Sequence, residues 1–113
     1  MMEPRVKAGL WVQAALRLGQ EAGRYGVVVR RGDADAGGIL VLLRDRNGGM
    51  AALSQIRAAD GSAAWLRATG PGAVEAAIAE AYVARQLRTD PDLWVLEFES
   101  PDLLPPFEGR IVE

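Results

Sequence analysis

Wound at about 100° per residue, residues 9–22 gather Trp11, Val12, Ala15, Leu16, Leu18, Gly19 and Ala22 into one arc and leave Gln13, Arg17 and Gln20 opposite. That spacing predicts an amphipathic helix, with Gly23 placed to stop it and Arg24 near the negative end of its dipole. Residues 25–31 then turn to β-branched side chains, Val27, Val28 and Val29, which favour a strand. A turn-rich stretch at 32–38 leads into five consecutive aliphatics at 39–43, the pattern of a central strand buried on both faces, and together these predict a hairpin with a long loop. Asn47-Gly48 supports a second hairpin. Strands are predicted at 50–57 and 63–69, separated by a turn at 58–62.

After Gly70-Pro71-Gly72, the alanine-rich residues 73–88 carry Val74, Ile78 and Ala81 at helical spacing and predict a second helix. Arg85 continues that stripe, so its guanidinium is expected either to escape to water along its stem or to pair with a nearby carboxylate. Pro91 ends the helix. Residues 93–99 alternate as a fifth strand, with Trp94, Leu96 and Phe98 on one face and Val95, Glu97 and Glu99 on the other. Residues 100–113 hold three prolines and are expected to be irregular. The fold expected is α+β: two helices and an antiparallel sheet of about five strands in the order α-β-β-β-β-α-β, the fifth inserting into or beside the sheet, as one domain over 1–113.

Composition narrows the chemistry. With neither cysteine nor histidine among 113 residues, the chain has no thiolate nucleophile, no imidazole acid or base, and no Cys or His ligand for zinc. Half the residues are hydrophobic and a quarter charged, the balance of an ordinary folded domain. The longest apolar run is the one at 39–43, far short of the roughly 20 residues of a membrane span. No export signal is visible, because Gln13, Arg17 and Gln20 interrupt the first helix, and a cytoplasmic protein is expected.

A net charge of −2 argues against a dedicated nucleic-acid binder. The charge is unevenly spread: residues 1–31 carry six basic against two acidic side chains, and residues 89–113 seven acidic against one basic. The two ends are therefore complementary and are expected either to approach each other or to leave the last stretch as a solvated acidic tail. Twelve of the thirteen basic residues are arginine and nineteen residues are alanine, which reads as the codon bias of a GC-rich genome.

An early helix carrying Trp11-Val12, then Arg30-Arg31-Gly32-Asp33 leading through Asp35-Ala36-Gly37 into an aliphatic strand, then Asp90-Pro91-Asp92-Leu93-Trp94-Val95 after the last helix, form a recognisable series. On these residues the chain resembles the domain-of-unknown-function family 1491, small soluble proteins of alphaproteobacteria, over residues 6–99. Thr89 stands where the resemblance leads one to expect an aromatic, and the proline-rich end looks private to this chain. The resemblance implies a fold and a bacterial origin and carries no assigned activity.

Several constellations remain as candidates. Asp33 and Asp35 in one loop and Asp90 and Asp92 in another are the acid pairs able to offer oxygens to a hard cation, or else they make Asx turns and stop a helix. Arg30 and Arg31 could grip a phosphate or carboxylate, but alternation along a strand sends them to opposite faces. Trp65 and Arg67 share a face, where they could stack a base or a partner side chain, or pack under a helix. Arg85 with Asp90 or Asp92 completes the set.

The reading placed first is a non-catalytic domain acting by protein association, with an unknown partner or as a homodimer, through an exposed strand edge or the acidic strand at 93–99. The alternative is a carboxylate-dependent metal-binding or small-ligand-binding protein or enzyme using Asp33, Asp35, Asp90 and Asp92. A third reading is single-stranded nucleic-acid binding through Trp65 and Arg67. None of these calls for a cofactor, and no residue is assigned as a metal ligand.

Overall fold

The computed structural model describes residues 6–113; Arg5, counted above in the basic end, lies outside them. The elements run α1 (Ala8–Glu21), β1 (Gly26–Arg30), β2 (Ile39–Arg44), β3 (Met50–Arg57), β4 (Ala63–Arg67), α2 (Ala76–Thr89), β5 (Trp94–Glu99) and β6 (Arg110–Val112). The α+β class and the two helices stand as expected. The sheet does not: it has six strands in the order β1-β5-β2-β3-β4-β6, with β2 and β5 parallel and β4 and β6 parallel.

Burial explains that order. A strand at the centre of a sheet covered on both faces needs apolar side chains on both sides. β2 supplies them at every position from Ile39 to Leu43, each at most 4 % exposed. β5 supplies them too: Trp94, Leu96 and Phe98 enter the core beneath α1, while Val95, with the preceding Leu93, enters the core beneath α2. These two strands pair with each other from Ile39↔Trp94 to Arg44↔Glu99. β5 thus inserts between β1 and β2, so the expected β1–β2 hairpin does not form, and the meander is confined to β2, β3 and β4.

The chain between β1 and β2 instead crosses the beginning of β5. The Asp33 amide donates to the Asp92 carbonyl at 2.9 Å, and the Trp94 indole N–H donates to the Asp33 carbonyl at 2.8 Å. Gly37 is required there: a Cβ would lie 2.5 Å from the Asp92 carbonyl oxygen and 2.8 Å from that of Asp33.

α1 buries Ala8, Val12, Ala15 and Gly19, close to the predicted arc, although Leu18 is 43 % exposed. Gly23 ends it with φ 72°, as a C′ residue should. α2 is rotated from its predicted phase. Ala79 is its buried residue, with Ala76, Tyr82, Val83 and Leu87 packed on the core, and Ile78 is 52 % exposed. The reason is that Val74 does not belong to the helix: it lies in extended backbone, exchanging two 2.8 Å hydrogen bonds with Met50. Removing it from the stripe leaves Ile78 and Ala81 on the solvent side, and Arg85 with them.

The proline-rich end is irregular only in part. Residues 101–109 carry Phe107 into the core beneath α1, and the chain then forms β6 along β4. Phe107 lies 5.0 Å, centroid to centroid, from both Trp11 and Trp65, which are themselves 5.4 Å apart. Replacing Phe107 with alanine should destabilise the fold by about 3 kcal/mol or more. Because it opens a void between two of the three tryptophans, the loss should accompany a change in native-state tryptophan emission. Urea unfolding followed by fluorescence measures both.

Candidate functional site

β1 is the one strand of the main body whose side chains are mostly in solvent. It has a single neighbour, β5, with Gly26↔Phe98, Val27↔Glu97 and Val28↔Leu96 in register and a bulge before Arg30↔Val95. α1 reaches its start, with Leu16 against Gly26 and Gln13, Arg17 and Gln20 alongside Tyr25. Tyr25 is 59 % exposed, Val27 60 %, Val28 40 % and Val29 54 %. Gly26 keeps the strand close to β5, since a Cβ there would lie 2.4 Å from the Phe98 ring.

The charges that flank this strip are directed away from it. Arg24 holds Asp102 with its two terminal guanidinium nitrogens, Nη2 to Oδ2 at 3.0 Å, and its Nη1 also reaches the Ser100 hydroxyl at 3.0 Å and the Leu104 carbonyl at 3.2 Å. Ser100, fully buried, donates to the Leu104 carbonyl at 2.6 Å. Arg30 donates to the Leu93 carbonyl at 3.0 Å, and Arg31 lies over the Trp94 ring at 5.5 Å. What remains outward from 25 to 29 is a neutral, apolar strip beside a free row of main-chain donors and acceptors. Edge strands usually carry a lysine, a proline or an inward charge to prevent pairing. In β1 the devices of this kind are the bulge and, at its last residue, the tied-back Arg30.

The remaining sequence-predicted residues are dispersed over structural roles. The loops carrying Asp33 and Asp90 do meet, through the Asp33–Asp92 main-chain bond, but their carboxylates turn back on their own backbone. Asp33 Oδ2 accepts from the Asp35 and Ala36 amides at 3.1 and 2.8 Å, and Asp90 Oδ1 from the Asp92 amide at 3.2 Å. Asp35 faces Lys7 at 3.7 Å in solvent and lies on the wall of an open groove of about 500 Å³ between α1 and the end of β3. Among the described residues no three acidic side chains converge as a metal site would require.

Trp65 is 3 % exposed and has no open ring face to offer a base. Arg67 beside it is 9 % exposed and is held by the Leu103 carbonyl at 3.1 Å and by Glu113. Arg85 is exposed over the Tyr82 ring at 5.9 Å and pairs with neither Asp90 nor Asp92. The acidic strand expected to be able to serve as an edge is β5, an interior strand.

Sequence reasoning missed the strip at 25–29 as a site. Its signal was three β-branched residues in succession, the same pattern that in β2 means burial on both faces. In β1 they face water.

The chain matches a family described as a protein of unknown function, DUF1491, over residues 6–108. The chain belongs to the DUF1491 family. The match runs through the proline-rich residues 101–108, which are therefore shared with the family and not private to this chain. Within that stretch Phe107 is a buried part of the fold. A crystal structure of a DUF1491 family protein from Caulobacter crescentus is similar with a TM-score of 0.85 at 30 % identity, covering 96 % of this chain and all of that one. An NMR structure of a DUF1491 family protein from Caulobacter crescentus gives 0.83 at 30 % identity, covering 98 % of this chain and all of that one. The solution structure of protein Atu0922 from A. tumefaciens shares the fold at 23 % identity and a TM-score of 0.79, covering 97 % and 98 % of the two chains. Both sources are alphaproteobacteria. Comparison with curated proteins gave no match.

The Arg24 hydrogen bond holds the Asp102 carboxyl well below the ordinary carboxylate range. A carboxylate with a depressed folded-state pKa adds stability that is present above its unfolded value, about 4, and that drains away as pH falls. The wild type should therefore lose more stability between pH 7 and pH 3 than Asp102→Asn does. Urea midpoints of the two proteins at both pH values test this, and parallel losses would mean that the pair contributes nothing.

Proposed function

We propose that this DUF1491 protein is a non-catalytic cytoplasmic domain that acts by associating with another protein segment along the free edge of β1. One observation carries the reading: from Tyr25 to Val29 the edge presents exposed apolar side chains next to unpaired main-chain groups, with Arg24 and Arg30 tied back at either end. An extended segment adding to such an edge gains main-chain hydrogen bonds and apolar side-chain contacts together. The absence of histidine and cysteine, and the commitment of the Asp33 and Asp90 carboxylates to amides of their own loops, support association over chemistry. No arrangement of Asp33, Asp35, Asp90 and Asp92 favours the metal-binding or ligand-binding alternative. Among the described residues no helix is long and apolar enough to cross a membrane.

The test is the native size of the protein in a lysate of cells that produce it. Association predicts elution well above the 12.1 kDa of one chain and collapse to that size on Val27→Lys, with an unchanged urea midpoint because Val27 is exposed. A wild-type protein that elutes as a single chain in the lysate overturns the reading.

A further inference from the structure

Glu99 donates its amide to the Tyr25 carbonyl at 2.9 Å, so the peptide groups of Tyr25 face β5. Alternation along an antiparallel strand then turns those of Val27 toward β5 as well, opposite Glu97, and sends those of Gly26 and Val28 outward. Two outward residues flanking one inward residue form a self-complementary unit. If a second β1 approaches antiparallel with a two-fold axis at Val27, Gly26 of each copy faces Val28 of the other and both pairs can exchange two hydrogen bonds. That makes four, using residues up to Val28, where the bulge begins. Val27 then meets Val27 as a non-hydrogen-bonded pair.

We propose that the occupant of the β1 edge is a second copy of this chain, paired antiparallel about Val27 to join two six-stranded sheets into one of twelve; this rests on the association reading above. The antiparallel two-fold pairing covers the β1 edge of both copies and leaves the three-residue β6 strands as the outer edges of the joined sheet. The apolar strip amounts to a few hundred Å² per copy, on the order of the largest patch that a lone soluble protein exposes. The contact therefore belongs with small, reversible interfaces, and the dimer should form in the micromolar range.

Two measurements on the purified protein decide it. In sedimentation equilibrium the wild-type mass should rise from one chain to two with concentration. Val27→Lys, which sets two like charges across the axis, should move that transition at least about tenfold upward. Because the chain has no cysteine, Val27→Cys introduces one thiol, directly opposite its symmetry mate at about 4.5 Å between Cα atoms, within disulfide reach. It should oxidise to a covalent dimer at least about ten times faster than Ile78→Cys, whose parent residue is exposed to a similar degree, 52 % against 60 %, on the far side of α2. Equal oxidation rates, or a single-chain mass up to several hundred micromolar, overturn the second copy. If the purified protein is monomeric while its large species in lysate still collapses on Val27→Lys, the partner is a different protein and the association reading stands. If both fail, both fall.

Discussion

The parallel pairing of β2 with β5 is the constraint from which the rest of the architecture follows. Both present apolar side chains to the two faces, β2 from Ile39 to Leu43 and β5 from Trp94 to Leu96, so both lie inside the sheet, and each face then needs a covering layer. α1 covers the face of Val41, Leu96 and Phe98, and α2 the face of Leu40, Leu42 and Val95. Once β5 takes the place beside β2, β1 can pair only with the outer side of β5. Its own outer side has no strand left in the chain to meet it. The exposed edge is thus a result of how apolar positions are divided among the strands and not a local peculiarity of residues 26–30.

The acid-rich end of the chain has a definite place in this scheme. The complementarity between the basic first third and the acidic last quarter is expressed at one bidentate contact, Arg24 with Asp102, which joins the turn after α1 to the turn after β5. From that anchor the chain carries Phe107 under α1 and lays β6 along β4. The end of the chain forms part of the wall of the core, and its last residue, Glu113, faces Arg67.

Much of the fold was legible in local patterns. β3 has its predicted bounds, the two faces of β5 divide as alternation requires, and the five aliphatics of β2 are buried on both sides. Strand order was not legible, because adjacency between β1 and β5 depends on contacts nearly 70 residues apart and leaves no mark on either segment alone. The phase of α2 was lost for a related reason: in an alanine-rich helix several faces are apolar enough, and the choice among them is made by Tyr82, Val83 and Leu87 meeting the sheet. β6 was hidden because three residues are too few to show a period. As for the site, Val27–Val29 spell a buried strand in composition, and only the tertiary arrangement leaves them in water.

The insertion of β5 between β1 and β2 has a bearing on how the chain assembles as it is made. β2, β3 and β4 can pair with one another as soon as each is available, but β1, synthesised before all of them, has nothing to hold until Trp94 to Glu99 have emerged. For most of the elongation of the polypeptide, three successive valines wait without a neighbour on either side. Until then the edge of β2 that β5 fills is open as well as both sides of β1, so the arrival of a single late segment closes two of these three backbone edges at once.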